Sequence, residues 1–210
     1  MMSLSNCFKN TVFAFLLVAA PAVSAEEKAI QLDAKQKQSL ELLTLDAARE
    51  GDLKTIQSYL DSGFSPNITS KRGDSLLILA TYYGHAKVTE ALLKNKKTEV
   101  NLVNKMGFSA LTGAAFRGRD AIVKMLIKHG AEVNQVNNKG QTALMFAAMF
   151  GQEVAVATLI AHGADPALLT HEGKSAADLA AEQGHSKMKE VITKSIARKK
   201  KSVDQAEPRT

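Results

Sequence analysis

Short apolar clusters alternate with polar stretches along residues 40–196, and the spacing within each cluster is helical. In the best-formed segment, Thr142-Ala143-Leu144-Met145-Phe146-Ala147-Ala148 predicts a first short helix, with Thr142 placed to cap its start. Gly151 allows a tight turn, because a residue without Cβ adopts positive φ freely. Val154, Val156, Leu159 and Ile160 then line a second helix, and Gly163 ends it. The pattern contains no strand-like alternation. It predicts an all-α chain built from helix pairs.

The pair recurs. Glycines stand at 51, 84, 118, 151 and 184, with steps of 33, 34, 33 and 33 residues, and a second series runs through Gly73, Gly107, Gly140 and Gly173. A third, Gly63, Gly130 and Gly163, misses only the second unit, where Lys94, Asn95, Lys96 and Lys97 stand. Small pairs keep the same phase, from Ala47-Ala48 to Ala180-Ala181. A helix pair of this size cannot bury its apolar face alone, so the copies stack side by side into one core. Five units follow, near 40–71, 72–105, 106–138, 139–171 and 172–196, the outer two serving as caps. A polar lead segment, 26–39, precedes them.

In this register, the unit Gly140-Gln-Thr-Ala-Leu-Met-Phe-Ala-Ala, then Gly151, then Leu159-Ile-Ala-His-Gly-Ala-Asp165, resembles the ankyrin repeat. The preceding unit matches with Gly107-Phe-Ser-Ala-Leu-Thr-Gly-Ala-Ala, Gly118 and Ile127-Lys-His-Gly-Ala-Glu-Val-Asn134. The family's Thr-Pro-Leu-His start appears with Leu76, Ala110, Ala143 and Ala176 in place of proline, and its histidine is missing throughout. The resemblance implies a solenoid of stacked helix-turn-helix units that binds another protein along a concave groove. Exported bacterial members, which the chain also resembles, are sometimes associated with enzymes such as catalase, so the resemblance implies a role in enzyme support or stress protection.

Export is read from the first 25 residues. Lys9 is the sole charge before Glu26; it precedes an apolar run over 11–20, and Pro21 and small residues lead to Ala25. A basic start, a short apolar centre and a small-residue cut site describe a signal peptide. No apolar run reaches the roughly 18 residues of a membrane span. Cys7 is the single cysteine of the 210 residues; cleavage after Ala25 removes it, leaving a thiol-free chain suited to an oxidising compartment such as the periplasm. A secreted effector that meets a host protein is the alternative destination.

Charge narrows the partners. The formal net charge is +6, but residues 194–210 hold six basic residues against two acidic ones, and residues 26–193 hold 20 against 19. The basicity belongs to the termini, and the repeats lack the basic face expected of a nucleic-acid binder. The run Arg198, Lys199, Lys200 and Lys201 reads as a solvated, disordered tail over 197–210, with contact to anionic lipid headgroups as the lesser reading. A monomer is expected.

Catalytic, metal and cofactor sites are not expected. His129 and His162 occupy equivalent second-helix ends, where a cation suits the helix dipole, and stacked helices about 8–10 Å apart do not bring two such rings within the ~2 Å ligand distance of zinc. His85 and His185 follow turn glycines and read as turn residues. Ser75, Ser109, Thr142 and Ser175 share one repeat position, which argues for capping rather than for a singular nucleophile. No phosphate loop, Gly-x-Ser-x-Gly or His-Glu-x-x-His motif occurs.

Aromatic residues carry the functional signal. Phe108 follows a unit's opening glycine, and Tyr82, Tyr83, Phe116 and Phe150 lie within two residues before a turn glycine, beside Arg117 and Met149. The resemblance places these positions on the groove, and aromatics, Met and Arg are the types enriched at interface centres. Phe146 is assigned to the core, filling space beside Gly113, which has no side chain. N-terminal sequencing of exported protein is expected to begin at Glu26; a retained Cys7 overturns the assignment of compartment.

Overall fold

Small side chains decide how closely these helices meet. In the computed structural model, which describes residues 32–204, the chain forms α1 (Ala34–Glu50), α2 (Leu53–Asp61), α3 (Leu76–Tyr83), α4 (Ala86–Lys94), α5 (Ala110–Phe116), α6 (Asp120–Lys128), α7 (Ala143–Met149), α8 (Glu153–Ala161), α9 (Ala176–Glu182) and α10 (Ser186–Asp204). The expected signal segment lies outside the described residues. The chain divides into two units, residues 1–43 and 44–210. In the first, the Asp33 carboxylate accepts from the Gln36 N–H at 2.8 Å while the Gln36 side chain accepts from the Asp33 N–H at 3.0 Å, a reciprocal cap that starts α1.

The second unit is an all-α solenoid of stacked helix pairs. Its first helices, α3, α5, α7 and α9, pack each on the next, and α2, α4, α6 and α8 form a parallel row. Ala80, Ala114, Ala115, Ala147, Ala148 and Ala180 are fully buried along the first row, so adjacent backbones approach closely. The second helix of each pair buries one face, through Tyr59, Leu92, Leu126, Leu159 and, on α10, Ile192 at one repeat position. Each first helix begins identically: Ser75, Ser109, Thr142 and Ser175 accept from the N–H groups of Ile78, Thr112, Met145 and Asp178. Such a cap contributes about 1 kcal/mol. At Ser175 the hydroxyl also donates to Asp178, which, with the Ser175 backbone N–H, holds that carboxyl below its usual range. A lowered carboxyl pKa stabilises above the unfolded value, so this contribution is present above roughly pH 4 and is lost as the pH falls further.

The loops between units are equally regular. Ser70, Asn104, Asn137 and Thr170 each accept two backbone N–H groups of their own loop; Asn104, for example, takes those of Met106 and Phe108. A ladder of asparagines joins the units to one another. Asn101 donates to the Gly130 carbonyl and accepts from the Glu132 N–H, and Asn67 and Asn134 repeat both bonds one unit before and after.

One expectation is corrected. The final helix continues past Ile196 to Asp204, so residues 197–204 are helical rather than a disordered tail. Neither glycine nor proline interrupts the chain between Gly184 and Pro208, Lys, Arg and Ala propagate a helix well, and cations suit its C-terminal end.

The turn glycines carry two constraints. Gly118 has φ +61° and Gly163 has φ +92°, a region that costs a non-glycine residue about 1–2 kcal/mol. At Gly163 a Cβ would meet nothing, whereas at Gly118 it would overlap the Gln152 side chain, which donates to the Phe116 carbonyl at 3.2 Å. Gly118→Ala is therefore expected to cost at least about 1 kcal/mol more than Gly163→Ala, read from urea unfolding; equal losses would show that the seat for Gln152 contributes nothing.

An aromatic-lined groove as the candidate functional site

Repeat register brings the site together. The position two residues before the turn glycine holds Arg49, Tyr82, Phe116, Met149 and Glu182 in successive units, and the next holds Glu50, Tyr83, Arg117, Phe150 and Gln183. Stacking sets these columns side by side at the ends of the first helices. The aromatic members belong to the three middle units, with polar residues on either flank.

There the rings touch in a continuous cluster. Tyr82 stacks on Phe116 at 5.8 Å between centroids and meets Tyr83 edge-on at 5.3 Å. Phe116 meets Phe150 at 4.3 Å and Phe146 at 6.5 Å, and Phe146 meets Phe108 at 5.2 Å. Edge-to-face and offset pairs of this kind contribute about 0.5–1.5 kcal/mol each beyond burial. The Arg117 guanidinium lies 5.3 Å from the Tyr82 ring centre, a cation–π contact. Tyr83 and Phe150 are each 47% exposed, while Tyr82, Phe108, Phe116 and Met149 are half-buried.

These side chains line a groove of about 480 Å³. Six of the seven residues singled out from sequence contribute to it: Tyr82, Tyr83, Phe108, Phe116, Met149 and Phe150. Arg117 is exposed and covers Tyr82 without lining the groove. Phe146, 8% exposed, closes one wall as well as filling the core. Its expected place beside Gly113 is corrected: Tyr82 supplies the nearest atoms to Gly113, 3.6 Å from where a Cβ would stand, because the Phe146 ring turns toward Phe108 and Phe116.

Sequence reasoning missed the polar lining, which includes Arg49, Arg72, Asp74 and Asn104. Counting back from Gly51 and Gly73 reaches both arginines, so the register carried that signal. Asp74 is buried and accepts from the Asn104 amide at 2.7 Å, with the Arg72 guanidinium 3.8 Å away. Arg49 pairs with Asp46. The groove thus offers aromatic faces and edges for apolar contact, and the two guanidinium groups in its lining are set against carboxylates of the chain itself.

The remaining polar candidates have structural partners. The Nδ1 atoms of His129 and His162 bond the carbonyls of Met125 and Thr158, each at 2.8 Å. His85 lies against Gly51 and bonds the Arg49 carbonyl at 2.7 Å, and His185 lies against Gly151. Among the described residues no group of three His, Cys, Asp or Glu side chains stands close enough to hold a metal. Shifted ionisation follows the surface ion pairs: Lys94 and Lys194 lower the carboxyls of Glu90 and Glu190, and Glu182 raises Lys174.

Comparison with known proteins agrees with the architecture. The family model for ankyrin repeats, three copies long, matches residues 44–137 and 130–202. A Pseudomonas aeruginosa protein described as an ankyrin repeat protein is 46% identical over 41 residues, 20% of this chain and 24% of its own length. Serine/threonine-protein kinase 12 of Arabidopsis thaliana is 29% identical over 114 residues, 54% of this chain and 24% of its own length. The chain thus spans about a quarter of each of these relatives. Its helix pairs and their register define a repeat solenoid of the kind that serves protein–protein interaction and is typically non-catalytic. The chain belongs to the ankyrin-repeat family.

Burial separates the rings energetically. Phe146→Ala is expected to cost about 3–5 kcal/mol, as for a core phenylalanine, and Tyr83→Ala and Phe150→Ala about 1 kcal/mol or less each. Chemical denaturation of the three variants checks this; losses at Tyr83 and Phe150 equal to that at Phe146 would make the exposed rings packing residues.

Proposed function

We propose that this protein is an exported, non-catalytic binding module that holds a partner protein in the groove lined by Tyr82, Tyr83, Phe108, Phe116, Met149 and Phe150, with Arg117 at its edge. The aromatic cluster carries the reading. Core packing alone does not call for two aromatic rings that are each 47% exposed, and exposed apolar surface of this kind marks contact sites. The periplasm is the proposed compartment, on the strength of the 25-residue leader pattern and the loss of Cys7 with it. Support of a periplasmic enzyme, in assembly or under stress, is the role that fits a module without chemistry of its own.

Affinity capture from periplasmic extract, run in parallel with the Tyr83→Ala/Phe150→Ala double variant, tests the groove. A partner retained by the parent and lost by the variant is expected. A partner bound equally by both would move the binding surface elsewhere. Cell fractionation tests the compartment, and recovery from culture fluid alone would replace the periplasmic role with that of a secreted effector.

A further inference from the structure

The last helix is built unlike its counterparts. α10 (Ser186–Asp204) runs for 19 residues, whereas α2, α4, α6 and α8 each run for 9. Its hold on the repeats ends well before its last residue. Met188 and Ile192 are buried, Ser195 and Ile196 are half-buried, and Ala197 is exposed. Residues 197–204 continue the helix past that contact, and at 1.5 Å per residue they carry it about 12 Å further.

The positive charge of the chain gathers on this extension. Residues 26–193 hold 20 basic against 19 acidic residues, while Arg198, Lys199, Lys200 and Lys201 follow one another directly. Elsewhere an acid stands one turn before a helical lysine: Glu90 pairs with Lys94 at 2.7 Å, and Glu190 with Lys194 at 2.6 Å. The positions one turn before 198–201 hold Lys194, Ser195, Ile196 and Ala197, and Asp204 is the sole acid within a turn after them. Lys194 and Arg198 stand four apart, and Arg198 and Lys201 three apart, spacings at which like charges weaken a helix. The helix dipole accounts for cations in the last turn alone. Folding does not call for the run. Four consecutive helical positions, about 100° apart, also take up the whole circumference, so the charge has no single face. It suits a broad polyanionic surface rather than a shaped cleft.

We propose that the basic end of α10 docks the protein reversibly on an anionic bilayer surface, through the phosphates of the lipid headgroups. Such a surface attracts each Lys or Arg brought near it. Past Ile196 the helix offers only Ala197 and Val203 as apolar residues, so the contact is electrostatic and stays at headgroup level. Nucleic acid fits less well, because the repeats that would lie beside it carry almost no net charge. The inference does not rest on the aromatic groove, and the two can fail separately.

The test is co-sedimentation of the protein, purified as the cell processes it, with vesicles. Vesicles of equal parts phosphatidylglycerol and phosphatidylcholine are expected to carry it down at low salt. Pure phosphatidylcholine vesicles should not, and about 0.5 M salt should release it, since salt screens exposed charge. The variant Arg198→Gln/Lys199→Gln/Lys200→Gln/Lys201→Gln should melt like the parent and bind at least about a hundredfold more weakly, at roughly fivefold per charge. Lys87→Gln/Lys124→Gln/Lys128→Gln, on exposed positions of the outer row, and Tyr83→Ala/Phe150→Ala should both sediment like the parent. Equal sedimentation with the two kinds of vesicle, retention of binding by the four-glutamine variant, or no sedimentation at low salt would each overturn the proposal. So would a double-stranded oligonucleotide bound more tightly than vesicles at equal phosphate concentration. Loss of sedimentation in the outer-row or groove variant alone would move the contact off α10 and overturn it as well.

Discussion

The stack depends on one recurring contact. The side chain that follows each turn glycine occupies the space in which the preceding unit's turn glycine would otherwise carry a Cβ. His85 stands on Gly51, Arg119 on Gly84, Gln152 on Gly118 and His185 on Gly151. Three kinds of side chain, histidine twice, arginine and glutamine, perform one steric task, so shape, not charge or a particular hydrogen bond, is what the position keeps from unit to unit. Two of them add a bond to the same backbone carbonyl of the preceding unit, Arg49 for His85 and Phe116 for Gln152. Because a Cβ on the glycine would overlap the seated side chain, the contact helps to fix the rotation of each unit on the next.

That fixed rotation creates the groove. Residues two places before each turn glycine arrive next to one another only if every unit advances by the same step, and the Asn67, Asn101 and Asn134 bonds hold that step on the other side of the repeats. Tyr82 and Phe116 lie 34 residues apart yet stack at an interplanar angle of 12°. Local sequence placed each ring at a helix end, and the repeat placed them in contact.

Legibility followed the same division. Helix pairs, caps at Ser75, Ser109, Thr142 and Ser175, and the aromatic lining were readable, because each is periodic or set by residues three or four apart. The end of α10 was not, since the basic run after Ile196 was weighed as charge and not as helix-forming side chains. Neither was the neighbour of Gly113. Side chains at repeat-equivalent positions lie close, but which ring turns into a gap depends on its rotamer, and Phe146 found Phe108 and Phe116 while Tyr82 remained over the glycine. The arginines of the groove, Arg49 and Arg72, were accessible by counting but carried no composition signal of their own.

The asparagine ladder also contains its own termination mark. The rung after Asn134 falls on Ala167, whose methyl group can neither donate to a following carbonyl nor accept from a following N–H. Gly184 likewise has nothing over it. The asparagine ladder thus stops one unit before the repeats do, since α9 still packs on α7 and His185 still seats on Gly151. The asparagine bonds therefore do not oppose release of the last helix pair.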